Sequence, residues 1–160
     1  MTDAIRIGVL SDTHGKLPVR VLELFSGVQR ILHAGDIGRP DILRDLETIA
    51  PVTAVWGNTD GFDIRQQTVE IAHVDVGDRR VVVLHGHQVG SPNPASLAAL
   101  ASGADAVVFG HSHRPLVERS GTTLFLNPGS AGAARFGVGA SVAFLRIEAG
   151  DLEAEILPLG

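Results

Sequence analysis

Seven side chains of three types carry the chemistry this sequence could do: Asp12, His14, Asp36, Asn58, His85, His111 and His113. They stand in the stretches "SDTH", "AGD", "GN", "HG" and "GHSH". Carboxylate oxygen, amide oxygen and imidazole nitrogen together make a donor set for a hard-to-borderline divalent metal. In extended chain, the D-x-H and H-x-H spacings put both members of each pair on one face. Seven donors exceed the four of one tetrahedral ion. They suit two ions that share one carboxylate, with Asp36 expected as the bridge because it ends an interior strand. Two ions held close together form a clamp for in-line displacement at phosphorus. Two divalent cations also outweigh two carboxylates, so such a pocket attracts phosphate even in an acidic protein.

Side chains this far apart in sequence must be brought together by the elements that end in them. "IRIGVL" (5–10) reads as a strand and "LPVRVLELFSGV" (17–28) as a helix with Pro18 in its first turn. "RILHAG" (30–35) is a second strand, "PDILRDLETIA" (40–50) a second helix and "VTAVWG" (52–57) a third strand. Strands alternating with helices imply a parallel sheet with right-handed crossovers. The pattern then changes to a hairpin, "TVEIAHVDV" with "RVVVLHG" around the turn "GDR". "NPASLAALASG" (93–103) is a helix capped by Asn93 and closed by Gly103, and it feeds the strand "DAVVFG" (105–110). Two more hairpins are predicted, turning at Ser120-Gly121 and Gly150-Asp151. The Gly/Ala-rich stretch 129–140 reads as a mobile loop. In open α/β sheets ligands bind outside the carboxyl ends of the strands. Asp12, Asp36, Asn58, His85, His111 and Asn127 all stand at such ends, and neighbouring strands lie about 4.8 Å apart.

Composition bounds the alternatives. The chain has 160 residues, a formal net charge of −5 and no cysteine. The length suits a single domain spanning 1–160, burying about 70% of its unfolded surface. The absence of cysteine excludes disulfides, thiolate metal sites and a cysteine nucleophile. The acidic balance argues against an extended nucleic-acid surface. No apolar run approaches the ~18 residues of a membrane span. The start "MTDAIRIGVL" carries an acid where a signal peptide would be basic, so a cytoplasmic location is expected. No G-x-G-x-x-G follows the first strand, no Walker lysine motif occurs, and "GSAG" lacks the G-x-S-x-G elbow.

Several residues have simpler readings. His33 in "LHAGD" is expected to be structural, and His73 to lie on the surface or in the core. Asp60 is expected as the partner of a ligand histidine. Arg135 is expected to be a solvated loop arginine rather than a substrate contact. Trp56, Phe62 and Phe136 are the aromatics able to stack a base, or else core residues. The exposed strand edges near 69–76 and 152–157 could pair with a second copy of the chain.

D-x-H, then "GD", "GN", "HG" and "GHSH" in this order resembles the calcineurin-like metallophosphoesterases, over residues 7–130. "NPGS" and the short length are similar to the small YfcE-type prokaryotic phosphodiesterase branch. The resemblance implies an α/β fold, a four-layer α-β-β-α sandwich of two mixed sheets. It implies a first metal held by Asp12, His14, Asp36 and His113, and a second held by Asp36, Asn58, His85 and His111. The implied cofactors are two divalent metal ions, Mn first, with Fe, Zn, Co or Ni as alternatives. The implied reaction is hydrolysis of a small phosphate ester, by direct attack of a metal-bridging hydroxide on a phosphodiester bond. Asp36, Asn58, His111 and His87 are the residues expected to act in catalysis. Many family members read G-N-H where this chain reads "GNT", with Thr59 in place of a proton donor. That departure favours diesters, or esters with good leaving groups, over monoesters. His87 of "HGHQ" is either a substitute donor or an orienting residue. Two alternatives accompany this reading: a non-catalytic scaffold of the retromer-subunit type, and a nucleotidase or phosphomonoesterase on the same site.

Overall fold

The computed structural model describes residues 4–134 and 137–160. In chain order the elements are β1 (Ile5–Leu10), α1 (Val19–Leu24), β2 (Arg30–His33), α2 (Pro40–Glu47), β3 (Val52–Ala54) and α3 (Phe62–Gln67). There follow β4 (Ile71–Val76), β5 (Arg79–Leu84), a short 3-10 turn (His87–Val89), α4 (Pro94–Leu97) and β6 (Ala106–Val108). Two hairpins complete the chain: β7 (Leu116–Ser120) with β8 (Thr123–Asn127), and β9 (Ser141–Glu148) with β10 (Asp151–Pro158). The strands form two five-stranded sheets, in the orders β10-β9-β1-β2-β3 and β4-β5-β6-β8-β7. Both are mixed. β1, β2 and β3 run parallel in the first, and β5, β6 and β8 run parallel in the second.

The four layers follow from strands buried on both faces, which read as near-continuous apolar runs. Ile7 and Val9 face the core between the sheets, as do Val81, Val83, Ala106 and Val108. Leu10 faces the outer layer of Val21, Phe25, Ile42 and Leu46. Val82, Leu84 and Val107 face the other outer layer, with Leu97, Ala101 and Phe109. Gly8 interrupts β1 for a packing reason: a methyl group there would meet the Phe25 ring at 2.9 Å.

Three helices are shorter than their periodicity predicts. α1 stops at Leu24, where Phe25 turns onto Gly8 and Gly27 takes φ +88°. After α2, Thr48 and Ile49 donate to Asp45 O and Leu46 O, a tighter 3-10 pattern. After α4, Leu100 and Ala104 do the same with Leu97 O and Ala101 O. α3 was not anticipated: only Ile64 of its six residues is buried, too few for a periodic signal. The last hairpin turns one residue earlier than expected, at Ala149 (φ +52°) and Gly150 (φ +84°). The expected mobile loop is corrected over residues 129–132. These are buried, with Ala131 and Gly132 donating to Ser11 O and Asp12 O. Arg135 and Phe136 lie outside the described residues. β4 and β10 are the sheet edges that were expected. No helix among the described residues is long and apolar enough to cross a membrane.

Candidate metal centre

The loops leaving β1 and β2 are laced together by backbone. Asp12 N donates to Gly35 O (2.9 Å), His14 N to Asp36 O (2.9 Å) and Gly15 N to Ile37 O (2.8 Å). Contacts within the second sheet and from it to the first complete the enclosure. Gly110 N donates to His85 O (2.9 Å), joining the loops after β5 and β6. His111 N donates to Asp12 Oδ2 (3.2 Å), joining the second sheet to the first.

Six of the seven expected side chains are thereby placed in measured contact. Asp12 Oδ1 lies 3.2 Å from His113 Nε2, 3.5 Å from His14 Nε2 and 3.9 Å from His85 Nε2. Asp36 Oδ2 lies 3.1 Å from His85 Nε2 and 3.7 Å from His14 Nε2. Two three-residue groups result, Asp12–His14–His113 and Asp12–Asp36–His85. Asp12 is common to both, and Asp36 faces a histidine of each. The His111 ring stands edge-on to His85 at 5.1 Å between centroids. Asn58 is exposed at the rim between Gly57 and Thr59, and Thr59 N donates to Asp36 Oδ1 (3.0 Å).

The backbone is bent to achieve this. Asp12, His14, Asp36, His111 and His113 all have φ between +47° and +71°, and among described non-glycine residues only Ala149 shares that region. Each such residue costs on the order of 1 kcal/mol, and strain of this kind clusters at functional sites. The glycines before Asn58 and His111 serve close approach rather than turning. A methyl on Gly57 would overlap Asp36 Oδ1, and one on Gly110 would overlap Ser11 Oγ and Asp12 Oδ2.

The electrostatics ask for positive charge. Asp12 Oδ1 and His85 Nε2 are buried without a hydrogen-bond partner. His85 Nδ1 is 2.8 Å from Ala34 O and donates to it, so Nε2 is the atom turned toward the carboxylates. Burial alone would lower the His85 pKa, but Asp36 and Asp12 raise it above the ordinary value. Burial would likewise raise Asp12, yet His113, His14 and His85 hold it far below the carboxylate range. Asp36 is lowered to about 2: burial opposes the shift, and His85 and Thr59 outweigh it. Burial and the His85 charge push His87 and His111 down, leaving their lone pairs free at neutral pH. A metal cation among these atoms would replace the His85 proton and give both Asp12 Oδ1 and His85 Nε2 a partner.

The remaining expected residues find definite places. His33 is fully buried and structural. Its Nδ1 accepts from Gly35 N (3.1 Å) and its Nε2 pairs with Thr13 Oγ1 (3.0 Å), which donates to Ile37 O. Burial lowers its pKa to about 4. His73 is exposed on β4. His87 is half-buried between His85 and Trp56, 5.6 Å from each ring. Asp60 is corrected: among the described residues its carboxylate accepts three backbone N–H groups, of Ile37, Gly38 and Gly57, rather than a hydrogen bond from a histidine. Trp56 is half-buried under the Arg65 guanidinium (4.0 Å), and Phe62 is 73% exposed. Sequence reasoning missed Ser11, whose buried hydroxyl donates to Asp12 Oδ2 (2.6 Å) and leaves Oδ1 to the histidines. It also assigned no role to Asn127, which donates to Gly110 O and Ser112 Oγ and so holds the "GHSH" loop.

Residues 5–150 match the family model described as the calcineurin-like phosphoesterase superfamily domain. The chain belongs to this superfamily. A probable metallophosphoesterase of Methanothermobacter thermautotrophicus is 39% identical to this chain, over 96% of this chain and 92% of that protein. The phosphodiesterase YfcE of Escherichia coli is 34% identical, covering 84% of each. A solved structure from Streptococcus pneumoniae, described as a predicted phosphoesterase, superposes with a TM-score of 0.82 at 27% identity, covering 99% and 92%. Vps29 of Entamoeba histolytica, complexed with zinc, superposes at 0.78 with 26% identity, covering 98% and 100%.

Proposed function

We propose that this protein is a phosphodiesterase that works with two divalent cations, manganese first among them. The observation that carries the reading is the pairing of two orphaned buried atoms, Asp12 Oδ1 and His85 Nε2, inside a ring of histidines and carboxylates. Asp12, His14, Asp36 and His113 would hold one ion, and Asp36, Asn58, His85 and His111 the other. When bound, such ions neutralise charge on phosphoryl oxygens and acidify a water that can attack phosphorus. The chain's own contribution is orientation. Ser11 and the His111 amide fix one oxygen of Asp12 so that the other faces the centre. Thr59 N–H fixes Asp36 in the same way. No Ser or Cys nucleophile is required, so no covalent phospho-enzyme forms.

Thr59 and His87 favour diesters. Thr59 supplies no titratable proton donor, and His87, with its lowered pKa, is mostly unprotonated at neutral pH and has no proton to give. A diester with a good leaving group needs little proton transfer. The substrate is a small phosphate ester, and the acidic chain acts in the cytoplasm. The test compares bis(nitrophenyl) phosphate with nitrophenyl phosphate under Mn, Zn, Co, Ni and Fe. Metal-dependent turnover with a diester preference is expected. A strong monoester preference overturns the diester assignment in favour of a phosphomonoesterase or nucleotidase. A second reading, a protein-binding scaffold, is favoured by the likeness to Vps29. Protein that hydrolyses neither ester under any of these metals establishes it.

A further inference from the structure

The two halves of the centre are fastened differently. The "SDTH" and "AGD" loops are tied by three consecutive backbone hydrogen bonds and by the Thr13–His33 pair. The loop carrying Asn58 has no comparable ladder to the Asp36 loop among the described contacts. Beyond the strand, where Val55 N donates to His33 O, the links are Thr59 N to Asp36 Oδ1 and the Asp60 carboxylate. Asp60 is 4% exposed, and its carboxylate accepts from both loops at once. Its Oδ1 takes Gly38 N (3.0 Å), and its Oδ2 takes Ile37 N (3.1 Å) and Gly57 N (2.9 Å). Ile37 directly follows Asp36, and Gly57 directly precedes Asn58. Arg65 Nε donates to Asp60 O (2.8 Å), anchoring the same residue to α3.

We infer that Asp60 is a positioning residue that sets Asn58 against Asp36, and so governs the second metal site while the first stays intact. This rests on the two-cation reading above. A charged acceptor is required, because three N–H donors converge on two oxygens. An amide must turn its NH2 group toward at least one of those donors. Asp60→Asn therefore loosens the Asn58 loop, but it cannot loosen Asp12, His14 or His113, which are held by other contacts. Loss of a partner that orients ligands typically weakens metal binding about 10- to 100-fold.

Metal-free wild type and Asp60→Asn are titrated with Mn²⁺ by calorimetry, and the bound ions are followed by electron paramagnetic resonance. Wild type is expected to take two ions and to show a spin-coupled signal. Asp60→Asn is expected to bind the first ion with unchanged affinity and the second about 10- to 100-fold more weakly, with an uncoupled signal at one equivalent. Two ions bound at wild-type affinities overturn the inference, as does equal weakening of both sites, which marks a general loss of structure. A single ion in wild type overturns the two-cation reading itself, and the inference with it. Circular dichroism checks folding. If the Asn variant is unfolded, Asp60→Glu, which keeps the charge but shifts it by one methylene, is judged by the same criteria.

Discussion

The half of the centre around Asp12 and the half around Asn58 are built to different standards. Asp12, Asp36, His85 and His113 are buried, and three of these four sit at strained positive φ. The neighbouring His33–Thr13 network leaves no polar atom of those two side chains unpaired. Asn58 is exposed, and His87 and His111 are half-buried and held by ring contacts. Tight burial suits residues that must keep fixed distances to an ion. Looser exposure suits residues that meet a substrate which enters and leaves. The contrast sets a buried, rigid half of the cluster against a more open one that substrate can reach.

Breaking the buried half should have the largest effect. Asp36→Asn preserves shape but removes a negative charge facing both His14 and His85. Metal content should fall, and kcat/KM on a nitrophenyl diester should drop by roughly 1000-fold, since a catalytic metal supplies several kcal/mol. Wild-type activity in this variant would erase the distinction between the halves.

The network beneath the buried half can be read by pH. His33 has a folded pKa of about 4 against 6.5 unfolded, so the fold favours its neutral form. Its contribution is complete above about pH 6.5 and disappears as pH falls toward 4. The total is about 3 kcal/mol, taking 1.36 kcal/mol per pKa unit. Urea unfolding of metal-free wild type and His33→Gln, measured from pH 7 to 4, should show the difference between them shrinking across that window. A constant difference would place the network outside the stability of this half.

The open half should be more forgiving. His87→Gln should reduce kcat on a diester with a good leaving group by less than about 10-fold, short of the 100-fold or more expected of a general acid. A loss above 100-fold, growing as the leaving group worsens, would show that His87 donates the proton and that the open half is as demanding as the buried one.

The sequence made the cluster legible because its residues recur after apolar runs. Parallel strands buried on both faces leave that trace, and a side chain at a strand end has one place to go. The strand pattern alone implied a parallel sheet followed by hairpins, and the four layers came from the family resemblance. Helix lengths were not: Phe25 leaves α1 to cover Gly8, and the ends of α2 and α4 tighten into 3-10 turns that keep an apolar period without keeping the helix. Ser11 and Asp60 were missed or misassigned because their partners are a neighbouring carboxylate and distant backbone amides. A residue that binds backbone writes nothing into the identity of its partners. The stretch 129–132 looked loose because glycine, alanine and serine are common in loops. It is buried because the same small residues let its backbone lie against Ser11 and Asp12.

Anomalous diffraction from crystals soaked in Mn²⁺ decides whether these side chains cage two cations. Two peaks are expected inside the cluster, one against Asp12, His14 and His113 and the other against His85, His111 and Asn58, with Asp36 between them. A map with no peak within reach of Asp12 and His85 would contradict it.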